Sequence, residues 1–138
     1  MKILALDIGT KRVGVAISDA LGITAQGHGV IYRETDDYGF DYISTVMSEQ
    51  EIKEIVVGLP LNMNGTHGPK AKEAEAFAGK LKEKFNLPVA LWDERMTTVA
   101  AERVMISGGV SRGKRKRKID KLAAQLILQS YLDSKKRT

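Results

Sequence analysis

The chain contains no cysteine, which excludes disulfides, zinc held on thiolates and thiol nucleophiles. No apolar stretch approaches the ~20 residues needed to span a bilayer, so no membrane association is expected. The opening Met1-Lys2 leads directly into a short apolar run, without the long apolar core and small-residue cleavage site of a secretory signal. A cytoplasmic location is the expectation. Internal repeats, low-complexity tracts and linkers are also lacking. Aromatic residues are few (four Tyr, three Phe and one Trp), too few for an aromatic sheet face on which bases would stack.

What is present is ordinary in amount and uneven in placement. The 138 residues, 43% hydrophobic and 28% charged, suit one domain over residues 1–138 with a single continuous core. The net charge is +5, yet Arg112-Gly113-Lys114-Arg115-Lys116-Arg117-Lys118 alone supplies six positive charges and the remainder of the chain carries −1. So dense a run repels itself and reads as a loop that is mobile without a ligand. On meeting a polyanion it would release counterions, which makes nucleic acid or another phosphate-rich surface its natural partner. The competing reading is a solvated loop that aids solubility. The run leads straight into a helix bearing an acidic residue, and that favours nucleic acid.

The pattern of apolar residues predicts the order β-β-β-α-β-α-β-α-α. Ile3 to Ile8 is nearly continuous and apolar, as in a strand buried on both faces. Gly9 to Arg12 turns the chain into a second strand, Val13 to Ser18, and Thr24 to Tyr32 reads as a weaker third strand interrupted by Gly27 and Gly29. A helix is expected from Asp36 or Asp37, a buried strand over Ile52 to Leu59, and an amphipathic helix over Ala71 to Phe85 with Pro69 at its first position. The last strand is Leu87 to Trp92. A helix follows from Thr97 or Thr98 to about Ile106, then the basic loop, then a final helix over roughly Ile119 to Leu132. Three consecutive strands imply an antiparallel meander, and the later strand-helix alternation implies parallel additions. The expected α/β fold is a mixed five-stranded sheet with helices on both faces.

Three acidic residues stand where apolar segments end or begin. Asp7 closes the first strand, Glu94 follows Val89-Ala90-Leu91-Trp92, and Asp120 opens the final helix. If the first, fourth and fifth strands are parallel, Asp7, Glu94 and the loop after Leu59 lie at the same edge of the sheet, where ligands gather. Steps of four, three and four put Asp120 on one helix face with Ala124, Ile127 and Tyr131. A carboxylate at the end of a buried strand needs a cation against it, and a divalent metal on oxygen ligands meets that need for all three. Each also has a plainer reading. Asp7 can accept N–H bonds in the next turn, Asp120 can offset a helix dipole, and Glu94 can pair with Arg95 or a lysine. Asn62, Asn64, Gly65 and Gly68 read first as a turn, and only second as a phosphate cradle.

Four segments carry a resemblance to a known family. Leu6-Asp7-Ile8-Gly9-Thr10-Lys11-Arg12-Val13-Gly14-Val15-Ala16, Gly58-Leu59-Pro60-Leu61-Asn62-Met63-Asn64-Gly65-Thr66, Asp93-Glu94-Arg95-Met96-Thr97-Thr98, and Lys118-Ile119-Asp120-Lys121-Leu122-Ala123-Ala124 with Leu128-Gln129-Ser130-Tyr131-Leu132 resemble, in order, the motifs of the YqgF family. These are relatives of Holliday-junction resolvases with a ribonuclease H-like fold. The resemblance spans nearly the whole chain, leaving about Leu21 to Glu51 nondescript. It implies a metal-dependent nuclease acting on structured nucleic acid, either resolving junctions or maturing the precursor of small-subunit ribosomal RNA.

Carried over by position, the resemblance makes Asp7, Glu94 and Asp120 the catalytic carboxylates and ligands of Mg²⁺ or Mn²⁺. Asp7 would bridge two ions roughly 3.5–4 Å apart, with Glu94 and Asp120 each completing one shell. Asp93 is left undecided, because neighbours on an extended strand point oppositely. Lys11, Arg12 and Arg95 are candidate phosphate contacts near the site, and Arg112, Lys114, Arg115, Lys116, Arg117 and Lys118 supply the basic run. The alternatives are a nucleic-acid-binding module that never cleaves and, more distantly, an actin-like ATPase, whose first phosphate loop Asp7-Ile8-Gly9-Thr10 resembles. That ATPase would need a second domain. The expected partner is structured RNA or branched DNA, with the chain a monomer or weak homodimer since no long exposed apolar stripe forces association.

Overall fold

The structure is a computed structural model that describes residues 2–33, 39–94 and 112–136, and the backbone alone for 112–121 and 136. In chain order the elements are β1 (Lys2–Ile8), β2 (Arg12–Ser18), β3 (Ala25–Tyr32), α1 (Phe40–Glu49), β4 (Ile52–Leu59), α2 (Pro69–Phe85), β5 (Val89–Asp93) and α3 (Arg112–Lys136). The five strands form one sheet in the order β3-β2-β1-β4-β5. β1 pairs antiparallel with β2, and β2 with β3, which gives the expected meander. β1, β4 and β5 are parallel, joined by helical crossovers, so β1 lies at the centre of the sheet.

Alternation along the strands sorts the core into two layers. One layer holds Leu4 and Leu6 of β1, Val13, Val15 and Ile17 of β2, and Ile55 and Val57 of β4, covered by Ile43 and Val46 of α1 and Phe77 and Leu81 of α2. The other holds Ile3 and Ala5 of β1, Ala16, Ala25 and Val56, covered by Ala124, Ile127, Leu128, Tyr131 and Leu132 of α3. Helices therefore lie on both faces, as expected.

The glycine-interrupted third strand is a bulged one. Val15 pairs with Gly29 and Ala16 with Gly27, so His28 is passed over in the ladder. α2 begins at Pro69 and ends at Asn86, whose φ of 53° closes the helix in the left-handed region. α1 starts at Phe40, later than expected, with Asp41 in its first turn; residues 34–38 lie outside the described residues.

The larger correction concerns the basic run. It is not a loop before the final helix: α3 already begins at Arg112, and the whole run forms its first turns. Lys and Arg are good helix formers, and helix growth from the packed C-terminal half adds a hydrogen bond per residue, which outweighs the repulsion between neighbouring charges. The helix expected from Thr97 or Thr98 to Ile106 lies outside the described residues.

Candidate active site

Asp7 is the penultimate residue of β1, on the strand at the centre of the sheet. Ile3 and Ala5 face α3, so the two-residue period puts Asp7 on that same face, at the edge where the parallel strands end. In β2 its partner across the ladder is Gly14. The same period in β5 turns Ala90 and Trp92 toward α3, and Glu94, one residue past the strand, continues that series. The Glu94 N–H donates to the Leu59 carbonyl at 3.2 Å, which prolongs the β4–β5 pairing and carries the side chain inward. Asp93 is exposed at the end of the strand and acts on Glu94 through its charge.

Space for the Glu94 carboxylate is made by a glycine. Gly58 pairs with Trp92, and a Cβ added there would collide with Glu94 Oε2 and come within 2.8 Å of Ile127 Cδ1. A strand glycine often marks such a close approach, and that was the available signal in the apolar run Val56-Val57-Gly58. Reading the run only as a strand missed it.

Electrostatics join the two acids. Glu94 Oε2 is shut off from solvent. Burial pushes the Glu94 carboxyl up to about 9, and the Asp7 charge, a hydrogen bond shared with Asp7 and the charge of Asp93 push the same way. Asp7 and Glu94 thus meet as two carboxyl groups, and burial together with the neighbouring negative charge favours the protonated form of Glu94. Hard oxygen donors, crowded negative charge and partial burial form a donor set suited to a divalent cation such as Mg²⁺ or Mn²⁺, which would relieve that repulsion. Among the described residues no group of three metal-ligating side chains is gathered. The third expected carboxylate, Asp120, lies in α3 one turn before the buried Ala124, and its side chain is outside the described residues.

A family model described as "RuvX: Holliday junction resolvase" matches residues 1–134 of the chain. The chain belongs to the RuvX family. Named also YqgF, this is the family that the four motifs resemble. A relative from Geobacillus kaustophilus (strain HTA426), named "Putative pre-16S rRNA nuclease", is 56% identical over 138 residues, covering 99% of this chain and all of the relative. Two solved structures share the fold at low identity. T. thermophilus RuvC in complex with a Holliday junction substrate has a TM-score of 0.56 at 15% identity, covering 99% of this chain and 96% of that one. Fowlpox virus resolvase with its Holliday junction DNA has a TM-score of 0.57 at 16% identity, covering 97% and 98%. The RuvX chain is therefore α/β with a resolvase-type, ribonuclease H-like fold.

In this RuvX chain the candidate phosphate contacts divide into those the structure places and those it leaves out. Lys11 is exposed and Arg12 half-buried, its guanidinium 5.9 Å from the centre of the Tyr32 ring; both lie on the turn that follows Asp7. Arg95 lies outside the described residues. Arg112, Lys114, Arg115, Lys116, Arg117 and Lys118 are placed by backbone only, on the helix that carries Asp120. That helix is pinned at its other end. Trp92 Nε1 donates to Ser130 Oγ at 3.1 Å, Gln129 Oε1 accepts from the Ala25 N–H at 2.9 Å, and Lys135 Nζ reaches Glu54 at 2.9 Å. The loop after Leu59 is a turn closed on itself. Asn62 donates to the Thr66 carbonyl at 3.0 Å through its N–H, and Asn64 Oδ1 accepts from Thr66 Oγ1 at 2.6 Å. No helix of the described chain is long and apolar enough to cross a membrane.

Proposed function

We propose that this protein is a divalent-metal-dependent nuclease that hydrolyses phosphodiester bonds of structured nucleic acid, with processing of pre-16S rRNA ends as its main role and junction resolution as the related activity. The carrying observation is the meeting of Asp7 and Glu94, remote in sequence, at the ends of parallel strands, with the Glu94 carboxyl buried in the space left by Gly58. Membership of the RuvX family and the name of the 56% identical relative support the same reading.

Asp7, Glu94 and Asp120 would hold Mg²⁺ or Mn²⁺, which supplies an activated water and stabilises the leaving oxygen. The chain's own contributions are distinct from that chemistry. Asp7, on the central strand, fixes the site's position. Glu94 joins it through the space left by Gly58. α3, pinned at its C-terminal half, carries Asp120 and the basic run to the same edge of the sheet. Lys11 and Arg12 offer positive charge to the backbone of a bound strand, and recognition proceeds by shape and charge rather than by base stacking.

The deciding assay offers a four-way DNA junction and an RNA precursor with ribosomal end sequences, each with Mn²⁺ or Mg²⁺. Metal-dependent cutting of the RNA that disappears in Asp7→Asn is expected. Preference for the junction would move the role to resolution. Binding without cutting would replace the nuclease reading by a binding module. Exchanging the six Lys and Arg of the basic run for Gln should weaken binding and lower the slope of affinity against salt, by about 0.9 per lost phosphate contact on duplex DNA. An unchanged slope would detach that run from the substrate.

A further inference from the structure

We infer that Arg33 is a positioning residue that sets the Gly9–Arg12 turn relative to Asp7, and so the seat of the scissile phosphate. The inference rests on the nuclease reading above, and adds a residue outside the four family-like motifs. Arg33 follows the end of β3, and its side chain is only 5% exposed. Its Nη1 donates to the Gly9 carbonyl at 2.6 Å and lies 3.2 Å from Glu73 Oε1 of α2. Its backbone N–H donates to the Lys11 carbonyl at 2.8 Å. One guanidinium therefore ties together the turn after Asp7, the end of β3 and α2.

Gly9 is the point where this matters. Its N–H donates to the Arg12 carbonyl at 2.7 Å, and its carbonyl accepts from Arg33. The peptide planes on both sides of Gly9 are thus oriented, one residue beyond Ile8, which is anchored in the core. A Cβ at Gly9 would lie 2.9 Å from the Arg12 carbonyl oxygen, so the turn closes too tightly for a side chain. A second tie to α2 runs from Lys70 Nζ to Thr10 Oγ1 at 2.5 Å.

A nearly buried cation is costly to desolvate and is a poor way to gain stability; an apolar side chain of similar size would serve as well. What Arg33 supplies instead is geometry. It sets the spacing between Asp7, which β pairing holds, and Lys11 and Arg12, which face the substrate. A misplacement of about 1 Å in such a spacing can slow a reaction by roughly 100-fold.

The test compares wild type, the pair Arg33→Met/Glu73→Gln, which removes both charges together, and Arg33→Lys. Melting temperature, single-turnover cleavage in Mn²⁺, and nucleic-acid affinity in the Asp7→Asn background are measured. The amide resonances of Asp7 and Gly9 are followed in the metal-free protein, together with the rise in melting temperature on adding Mn²⁺. The expected result is a pair variant that folds and binds nucleic acid within about twofold of wild type, but cleaves roughly 10–100-fold more slowly. Its Gly9 amide should shift while resonances of α1 stay in place, and Arg33→Lys should recover most of the rate. A folded pair variant with unchanged rate and an unshifted Gly9 amide overturns the inference. If the pair variant does not fold, Arg33→Gln, which removes the guanidinium and leaves Glu73 in place, carries the comparison: a shifted Gly9 amide and slower cleavage support positioning, and no change in either refutes it. If wild type cuts no substrate, the nuclease reading fails separately. The amide shifts and Mn²⁺ response then decide the positioning role, with identical values in wild type and variant counting against it.

Discussion

The two faces of the sheet are built from the same strands and differ sharply in what they hold. β1 gives Leu4 and Leu6 to the α1/α2 face, and Ile3, Ala5 and Asp7 to the α3 face. β4 divides likewise, with Ile55 and Val57 on the first face and Val56 and Gly58 on the second. The first face is filled with large aliphatic side chains and Phe77. The second is lined by Ala5, Ala16, Ala25 and Ala124 and ends in Asp7 and Glu94. Small residues leave room for α3 to approach and for two carboxyl groups to be tucked against it. Both faces are packed, and the two carboxyl groups of the candidate site stand at one end of the second.

The strongest challenge to that division is a deletion in the first face. Phe77 is fully buried, and Phe77→Ala should cost about 3–5 kcal/mol of stability. Cleavage per folded molecule, assayed well below the melting temperature, should stay near wild type. A selective loss of cleavage would show that the faces are coupled. On the other face, Asp7→Asn should lower cleavage by at least roughly 100-fold, more than the loss of a group behind a ligand usually causes. Its melting temperature should stay level or rise, because one of two juxtaposed acids is gone. A collapse of the fold instead would make Asp7 a structural residue.

Gly58→Ala probes the seam between the faces. The added methyl runs into Glu94 and Ile127, so denaturation should show a loss of about 1–3 kcal/mol, with cleavage down roughly tenfold. Wild-type values for both would mean that the Glu94 carboxyl has another place to sit.

The last comparison is one of pH. Glu94 is held protonated in the folded, metal-free protein up to about 9, against about 4.5 when unfolded. Between those values the folded state binds one proton more than the unfolded state. Its contribution to stability is complete below the lower value and lost as pH rises through the upper one. Melting curves in a chelator from about pH 5 to about pH 9 should therefore slope downward more steeply for wild type than for Glu94→Gln. Equal slopes would remove the buried proton from the account.

Much of the fold was legible because it depends on local pattern. The near-continuous apolar runs of β1 and β4, the turn at Gly9–Arg12 and Pro69 at the start of α2 are each written in neighbouring residues. The extent of α3 was not. A dense row of positive charge looks like a loop in isolation, and only the helix packed behind it, from Ala123 to Leu132, lets the run continue as helix. His28 as a bulge was hidden for a similar reason, since it depends on how β2 aligns with β3.

The candidate site divides in the same manner. The sequence by itself determined which carboxylates stand at strand ends, the four motif segments and the uneven placement of positive charge. Chain order and two-residue alternation are enough for that. Tertiary structure alone decided that Asp7 and Glu94 come together, that Gly58 makes the space for the Glu94 carboxyl, and that Arg33 reaches from β3 to the Gly9 carbonyl. Those relations are distances between segments far apart in the chain, and no local preference encodes a distance that only the closed sheet and its packed helices create.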